Sequence, residues 1–215
     1  MDRDDPVHRF ADRADAGRRL ASELERRGDT ADLVLAIPRG GLPLGREVAD
    51  EIDVPLDVVV ASKIGAPGNP EYAIGAVGSD GTTWLDESEI DRHEIDESYV
   101  EREISAELSA AREKAATYRD GTPERSFGGS HVVLVDDGAA TGSTAIAAIR
   151  LLRTAGVERI VVAVPVAPSA TIERLDSEAD DVLCLSVPTT FRAVGQFYDR
   201  FDQVSDEEAM AYLEN

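Results

Sequence analysis

The chain has 215 residues, 42% of them hydrophobic, and a formal net charge of −21. That length suits one domain, and that apolar content supports a real core, so the acidity is not the signature of a disordered chain. The acidic balance argues against a nucleic-acid ligand, and no apolar run approaches the ~20 residues that a membrane helix needs.

The chain to about Gly28 reads as an amphipathic helix, with Phe10, Ala14, Ala21 and Leu24 on one face. Leu33 to Ile37 is a continuous apolar run of the kind found in strands buried on both faces, and it stops at Pro38-Arg39-Gly40-Gly41. A helix over 42–52 and a second strand over 56–61 follow. The punctuation of 63–70 predicts a mobile loop, and the glycines at 75, 78 and 81 predict a hairpin with Trp84 and Leu85 on its return strand. Residues 86–119 have helical periodicity, and 121–130 resembles a linker. Strands are expected at 131–135, 159–164 and 182–186, with helices at 143–154 and 169–175. Apolar strands alternating with helices predict an α/β fold: a parallel sheet covered by helices on both faces. The expected organisation is a single domain over 1–215, with a flexible loop and flap hairpin at 63–85 and a hood built from 1–28 and 187–215.

The cations are skewed, because Lys63 and Lys114 are the only lysines. An acidic surface poor in lysine suits concentrated salt, which screens like-charge repulsion, and points to a halophilic source. Cys184 has no partner in the chain and reads as a small buried hydrophobe. The charged N-terminus does not read as a signal peptide, so the cytoplasm is expected. His8, His93 and His131 are scattered, without metal-ligand spacing.

Parallel sheets bind ligands at the carboxyl ends of their strands. At one such end an apolar strand delivers Asp136 and Asp137, followed by Gly138-Ala139-Ala140-Thr141-Gly142-Ser143-Thr144 at a helix start. Small residues let amides approach an anion, the helix start adds unpaired donors, and the two carboxylates suit sugar hydroxyls or the water shell of Mg²⁺. The Gly-Lys-Ser/Thr loop of NTPases and the G-x-G-x-x-G of dinucleotide folds are both absent.

This segment resembles the phosphoribosyl pyrophosphate motif of type I phosphoribosyltransferases, and Ile37-Pro38-Arg39-Gly40-Gly41 resembles their pyrophosphate loop. The run from Lys63 to Ala76 is similar to a subgroup of bacterial and archaeal members. The resemblance implies that Asp136 and Asp137 hold the ribose diol, touching metal only indirectly, and that residues 138–144 wrap the 5′-phosphate. It implies that Arg39, Gly40, Gly41 and Lys63 bind pyrophosphate, with Arg39 and Lys63 catalytic, and that Mg²⁺ is the cofactor. It also implies a homodimer and a small acceptor, probed by Phe191, Phe197 or Tyr198 as base-stacking residues. Many 6-oxopurine salvage enzymes carry Asp where this chain has Ala140, which counts against hypoxanthine or guanine as acceptor. The expected activity is transfer of the phosphoribosyl group to a nucleobase; a non-catalytic phosphoribosyl pyrophosphate sensor and a hydrolase stay open as alternatives.

Overall fold

Five parallel strands form the central sheet of the computed structural model, which describes residues 9–119 and 127–214. They are β1 (Leu33–Ala36), β2 (Leu56–Val58), β6 (His131–Val135), β7 (Arg159–Val166) and β8 (Asp181–Ser186), in the order β2-β1-β6-β7-β8. Side chains alternate across a strand, so a strand with no polar position must have two apolar neighbours. Leu33 and Leu35, with Val132, Leu134, Ile160 and Val162, pack against α5 (Ser143–Thr154) and α6 (Ser169–Asp176). Val34, Val133, Val135 and Val161 face the opposite way, onto α1 (Arg13–Arg27) and α2 (Gly41–Glu51). The parallel sheet with helices on both faces is the expected architecture.

The remaining strands, β3 (Ala61–Ala66), β4 (Asn69–Gly78) and β5 (Thr83–Leu85), make a separate antiparallel sheet. One face of it, carrying Ile64, Ile74 and Val77, is sealed by Ile95 and Val100 and by the first turns of α4 (Glu97–Arg119). The other face packs Ala76 on Ala147 and Leu151 of α5. This corrects the expectation of a loop over 63–70. All but Pro67-Gly68 of that segment is strand, because Gly65 and Ala73 are small enough for β3 and β4 to pair through a register shift. The second core strand is correspondingly short, ending at Val58 before the chain enters β3. The helical stretch after Asp86 is two helices, α3 (Glu87–Arg92) and α4, separated by Glu94 at φ 49°.

Phe10 lies outside α1, which starts one residue past Asp12, whose carboxylate accepts from the Asp15 amide. Phe10 bridges instead to Tyr198, with its amide donating to the Phe197 carbonyl at 2.8 Å and its carbonyl accepting from the Asp199 amide at 2.9 Å. The two segments read as a hood are thus joined to each other within the described residues; residues 1–8, with His8, and Asn215 lie outside them, as does 120–126 of the linker-like segment. A short 3-10 turn (Val194–Phe197) and a tail helix α7 (Asp206–Ala211), capped by Ser205 and Glu208, complete the chain. Cys184 is half-buried, and burial pushes its thiol up to about 11, so it acts as a packing group. No described helix is long and apolar enough to cross a membrane.

Candidate active site

The carboxyl ends of β1 and β6 are neighbours, so the loops that leave them meet. The amide of Ile37 donates to the Val135 carbonyl at 2.9 Å, which continues the ladder past the end of β1. The chain then turns through Pro38-Arg39, a cis peptide, into α2. A Cβ on Gly40 would lie 2.1 Å from Asp137 Oδ2, and one on Gly41 would lie 2.6 Å from the Val135 carbonyl oxygen. Only hydrogen fits at either position, which is why this loop is Gly-Gly.

Beyond β6 the loop is held from behind by α6. Thr171 Oγ1 donates to the Ala140 carbonyl at 2.7 Å, and an Arg174 guanidinium nitrogen donates to the Thr141 carbonyl at 2.8 Å. In a trans peptide the C=O and the following N–H point in opposite directions. Drawing these two carbonyls toward α6 therefore turns the amides of Thr141 and Gly142 away from it. Among the described residues, no group accepts the amides of Ala140, Thr141, Gly142 or Thr144. Gly142 enters α5 at φ 72° without a side-chain cap, and the Thr141 and Ser143 hydroxyls lie 3.0 Å apart beside it. The result is a ring of donors at a helix start, where the dipole favours an anion. Ala139 is a correction: its amide donates to the Val166 carbonyl at 3.0 Å and its side chain is buried, so it supports the loop but offers no donor.

Asp136 and Asp137 sit between these two loops. Asp136 Oδ1 accepts from the Asp137 amide at 2.8 Å. Burial, then the adjacent Asp137 charge, holds the Asp136 carboxyl well above the usual carboxylate range. Burial raises Asp137 too, opposed by Arg13, whose Nε and Nη2 both reach Oδ2, at 2.9 and 2.8 Å. Arg13 is itself fixed by the Asp202 carbonyl at 2.6 Å and by the Phe201 ring, 3.9 Å below its guanidinium. Tyr198 donates its hydroxyl to the Asp137 carbonyl at 2.6 Å.

Arg39 reaches the tail helix, with Nη1 3.5 Å from Asp206 Oδ1 on α7. The ammonium of Lys114, on α4, lies 3.4 Å from the Pro38 carbonyl. Lys63 is placed differently from expectation: it stands within β3 opposite Ala76, on the face of the flap sheet that meets α5, and not on a loop. The aromatic expectation also changes. Phe197 and Tyr198 are 1% and 3% exposed, packed among Phe10, Phe191 and Phe201, so neither has a free face for a base. Phe191 is half-buried against Phe197.

The contacts of Arg13 with Asp137, of Lys114 with the Pro38 carbonyl and of Asp206 with Arg39 were not legible in the sequence. Arg13 and Asp137 are 124 positions apart, and Arg13, Lys114 and Asp206 each sit on a helix whose pattern looks like any solvated face. The rarity of lysine was the one signal that could have singled out Lys114.

The chain matches the phosphoribosyl transferase domain family over residues 6–202, and it belongs to that family. The crystal structure of TT1426 from Thermus thermophilus is similar to it at 45% identity and a TM-score of 0.89, over 95% of this chain and 97% of that one. The architecture is the type I phosphoribosyltransferase fold. Two Mycobacterium tuberculosis proteins, one from each of two strains and provisionally named phosphoribosyl transferases, are 40% identical over 205 residues. That match takes in 95% of this chain and 46% of each relative, so the chain spans about half the length of the curated relatives it matches.

Proposed function

We propose that this protein binds 5-phosphoribosyl pyrophosphate and transfers its phosphoribosyl group to a small acceptor, most simply a nucleobase, releasing pyrophosphate. The observation that carries the reading is the meeting of two loops: Gly40 and Gly41 lie against Asp137 and Val135, one helix start away from the donor ring at 140–144. One molecule with a phosphate at one end, a diol in the middle and a pyrophosphate at the other suits that arrangement.

In this reading Asp136 and Asp137 accept from the ribose hydroxyls, and Arg13 keeps Asp137 ionised and aimed. The amides of Ala140, Thr141, Gly142 and Thr144, with the hydroxyls of Thr141, Ser143 and Thr144, surround the 5′-phosphate. Arg39 and the backbone of Gly40 and Gly41 face the pyrophosphate, and Lys63 joins them from the flap sheet. Displacement at the anomeric carbon makes the ribose cationic as negative charge gathers on the leaving group, and donors fixed in advance stabilise that charge. The flap shields the reacting carbon from water, which would otherwise compete as nucleophile.

The residues present fit a Mg²⁺ that arrives on the pyrophosphate. No group of three metal-ligating side chains exists among the described residues, but two desolvated carboxylates stand beside the proposed pyrophosphate loop. Such a pair suits an ion that keeps most of its waters and takes its other oxygens from substrate. When bound, the metal would neutralise charge on the leaving group.

The test is turnover. The protein is incubated with Mg²⁺ and phosphoribosyl pyrophosphate at high salt against a panel of nucleobases and small amines, with pyrophosphate release measured. Release dependent on one acceptor is expected. Release without any acceptor, or tight binding without release, would replace the transferase reading with hydrolysis or sensing.

A further inference from the structure

The 38–41 loop is met by a second cation, Lys114 of α4, that the family motifs do not contain. The last turns of α4 pack Ala111, Ala115 and Tyr118 into the apolar cluster that also holds Ala36 and Leu42, which flank the 38–41 loop. Lys114 lies between Ala111 and Ala115 on that helix, so the packing carries its ammonium to the Pro38 carbonyl, 3.4 Å away. The charges of Arg39, Asp136 and Asp206 act on it. Lys114 is exposed as a residue, yet desolvation near its head group first, then the like charge of Arg39, lowers its pKa, while Asp136 and Asp206 oppose the shift.

Two cations side by side repel, and this pair sits beside one accessible carboxylate. Asp206 lies 3.5 Å from Arg39, also accepts from the Tyr118 hydroxyl at 3.3 Å, and leaves half of its side chain in water. In a chain with 43 acidic residues, convergence of two positive groups on one loop is not a matter of average composition. An anion with several charges relieves the repulsion of both; a single carboxylate on a short tail helix relieves it in part.

We propose that Lys114 and Arg39 together grip the pyrophosphate end of the substrate, and that Asp206 is a resident counter-ion which that pyrophosphate displaces. The proposal rests on the phosphoribosyl pyrophosphate reading and adds to it a binding residue on α4 and a competing anion on α7. Lys114 contributes where charge accumulates on the leaving group. Asp206 keeps the cation pair occupied when no pyrophosphate is bound, so release of product is assisted by its return.

Calorimetric titrations with inorganic pyrophosphate and, separately, ribose 5-phosphate decide the matter, using wild type, Lys114→Gln, Asp206→Asn and Arg102→Gln. Arg102 is an exposed cation on the same helix and controls for the change in net charge. Lys114→Gln is expected to weaken pyrophosphate about tenfold, the scale of about 1.4 kcal/mol, while ribose 5-phosphate binds as in wild type. Asp206→Asn keeps an oxygen for Tyr118 and is expected to tighten pyrophosphate several-fold. Arg102→Gln should match wild type. Undiminished pyrophosphate affinity in Lys114→Gln, or equal loss for both ligands, overturns the role of Lys114. Unchanged or weaker pyrophosphate binding in Asp206→Asn overturns the counter-ion. A wild-type protein that binds neither ligand removes the phosphoribosyl reading itself, a result distinct from either of these.

Discussion

Gly40 and Asp137 interlock: the space a Cβ would need on Gly40 is taken by the Asp137 carboxylate, with Oδ2 2.1 Å from that point. Gly40→Ala must therefore push the carboxylate off Arg13 or move the turn. Overpacking of this kind costs about 1–3 kcal/mol, and phosphoribosyl pyrophosphate affinity should fall with it. Thermal unfolding and calorimetry on the same variant check this; unchanged values in both would mean the loops are not in contact.

Arg13 should set the acid limit of binding. Asp137 is raised by burial and lowered by Arg13, and its ionised form accepts from sugar hydroxyls at both oxygens and more strongly than the acid. In wild type, affinity is lost as pH falls through the raised pKa of Asp137. Arg13→Gln removes the opposing charge, so the pKa rises further and affinity fails at a higher pH. Removing one partner of a buried pair also costs about 3–5 kcal/mol, so Arg13→Lys is the informative companion: it should fold better and shift the limb less. A ribose 5-phosphate affinity profile against pH that superimposes on wild type would remove Arg13 from the site.

Asp136 should trade stability for binding. Its folded pKa lies above the unfolded one, so folding favours the protonated form. The stability it contributes is complete below the unfolded value of about 3.9 and is lost as pH rises through the folded value. Asp136→Asn keeps an oxygen for the Asp137 amide and is uncharged. It should melt higher than wild type at neutral pH, by about 2–4 °C for each kcal/mol recovered in a chain of this size, and the gap should close toward pH 3. Ribose 5-phosphate affinity should fall at least tenfold. A variant that melts lower at neutral pH would show that the carboxylate is not under this strain.

The buried aromatics should affect folding and leave acceptor choice alone. Tyr198→Phe leaves the Asp137 carbonyl without its hydroxyl partner, a loss of about 1–3 kcal/mol. Phe197→Ala opens the hood cluster at about 3–5 kcal/mol. The ranking of acceptors by pyrophosphate release should be the same in both as in wild type. A re-ranked panel with unchanged melting temperature would return these rings to acceptor recognition.

Salt should stabilise the fold. The net charge of −21 repels itself across a Debye length of about 10 Å at 0.1 M salt and about 3 Å at 1 M. Melting temperature should rise through the molar range of KCl. A flat response would mean that the Arg-carboxylate pairs on the surface already balance the repulsion.

What the chain revealed before folding was what local pattern encodes. β1, β6 and β7 are apolar at almost every position because both faces are covered, and the apolar run of β8 was legible for the same reason. Asp136 to Thr144 was legible because its donors are backbone and its residues are small, both written in consecutive letters. The flap was half read: glycines and prolines at 65–70 signal a break, yet β3 and β4 pair on either side of Pro67-Gly68 through a shift in register. Arg13, Lys114 and Asp206 were hidden because a contact between distant elements leaves no local trace. Phe197 and Tyr198 misled because aromatic spacing is the same for a stacking platform and for a packed one, and only burial separates them.

The clasp between Phe10 and Tyr198 joins positions separated by almost the whole described chain. Contacts that close so large a loop form late, since nearer ones are entropically cheaper. The central sheet can thus assemble while Arg13 is still away from Asp137, and the setting of Asp137 is completed only when the strand edge at Phe10 meets Tyr198, whose hydroxyl holds the Asp137 carbonyl.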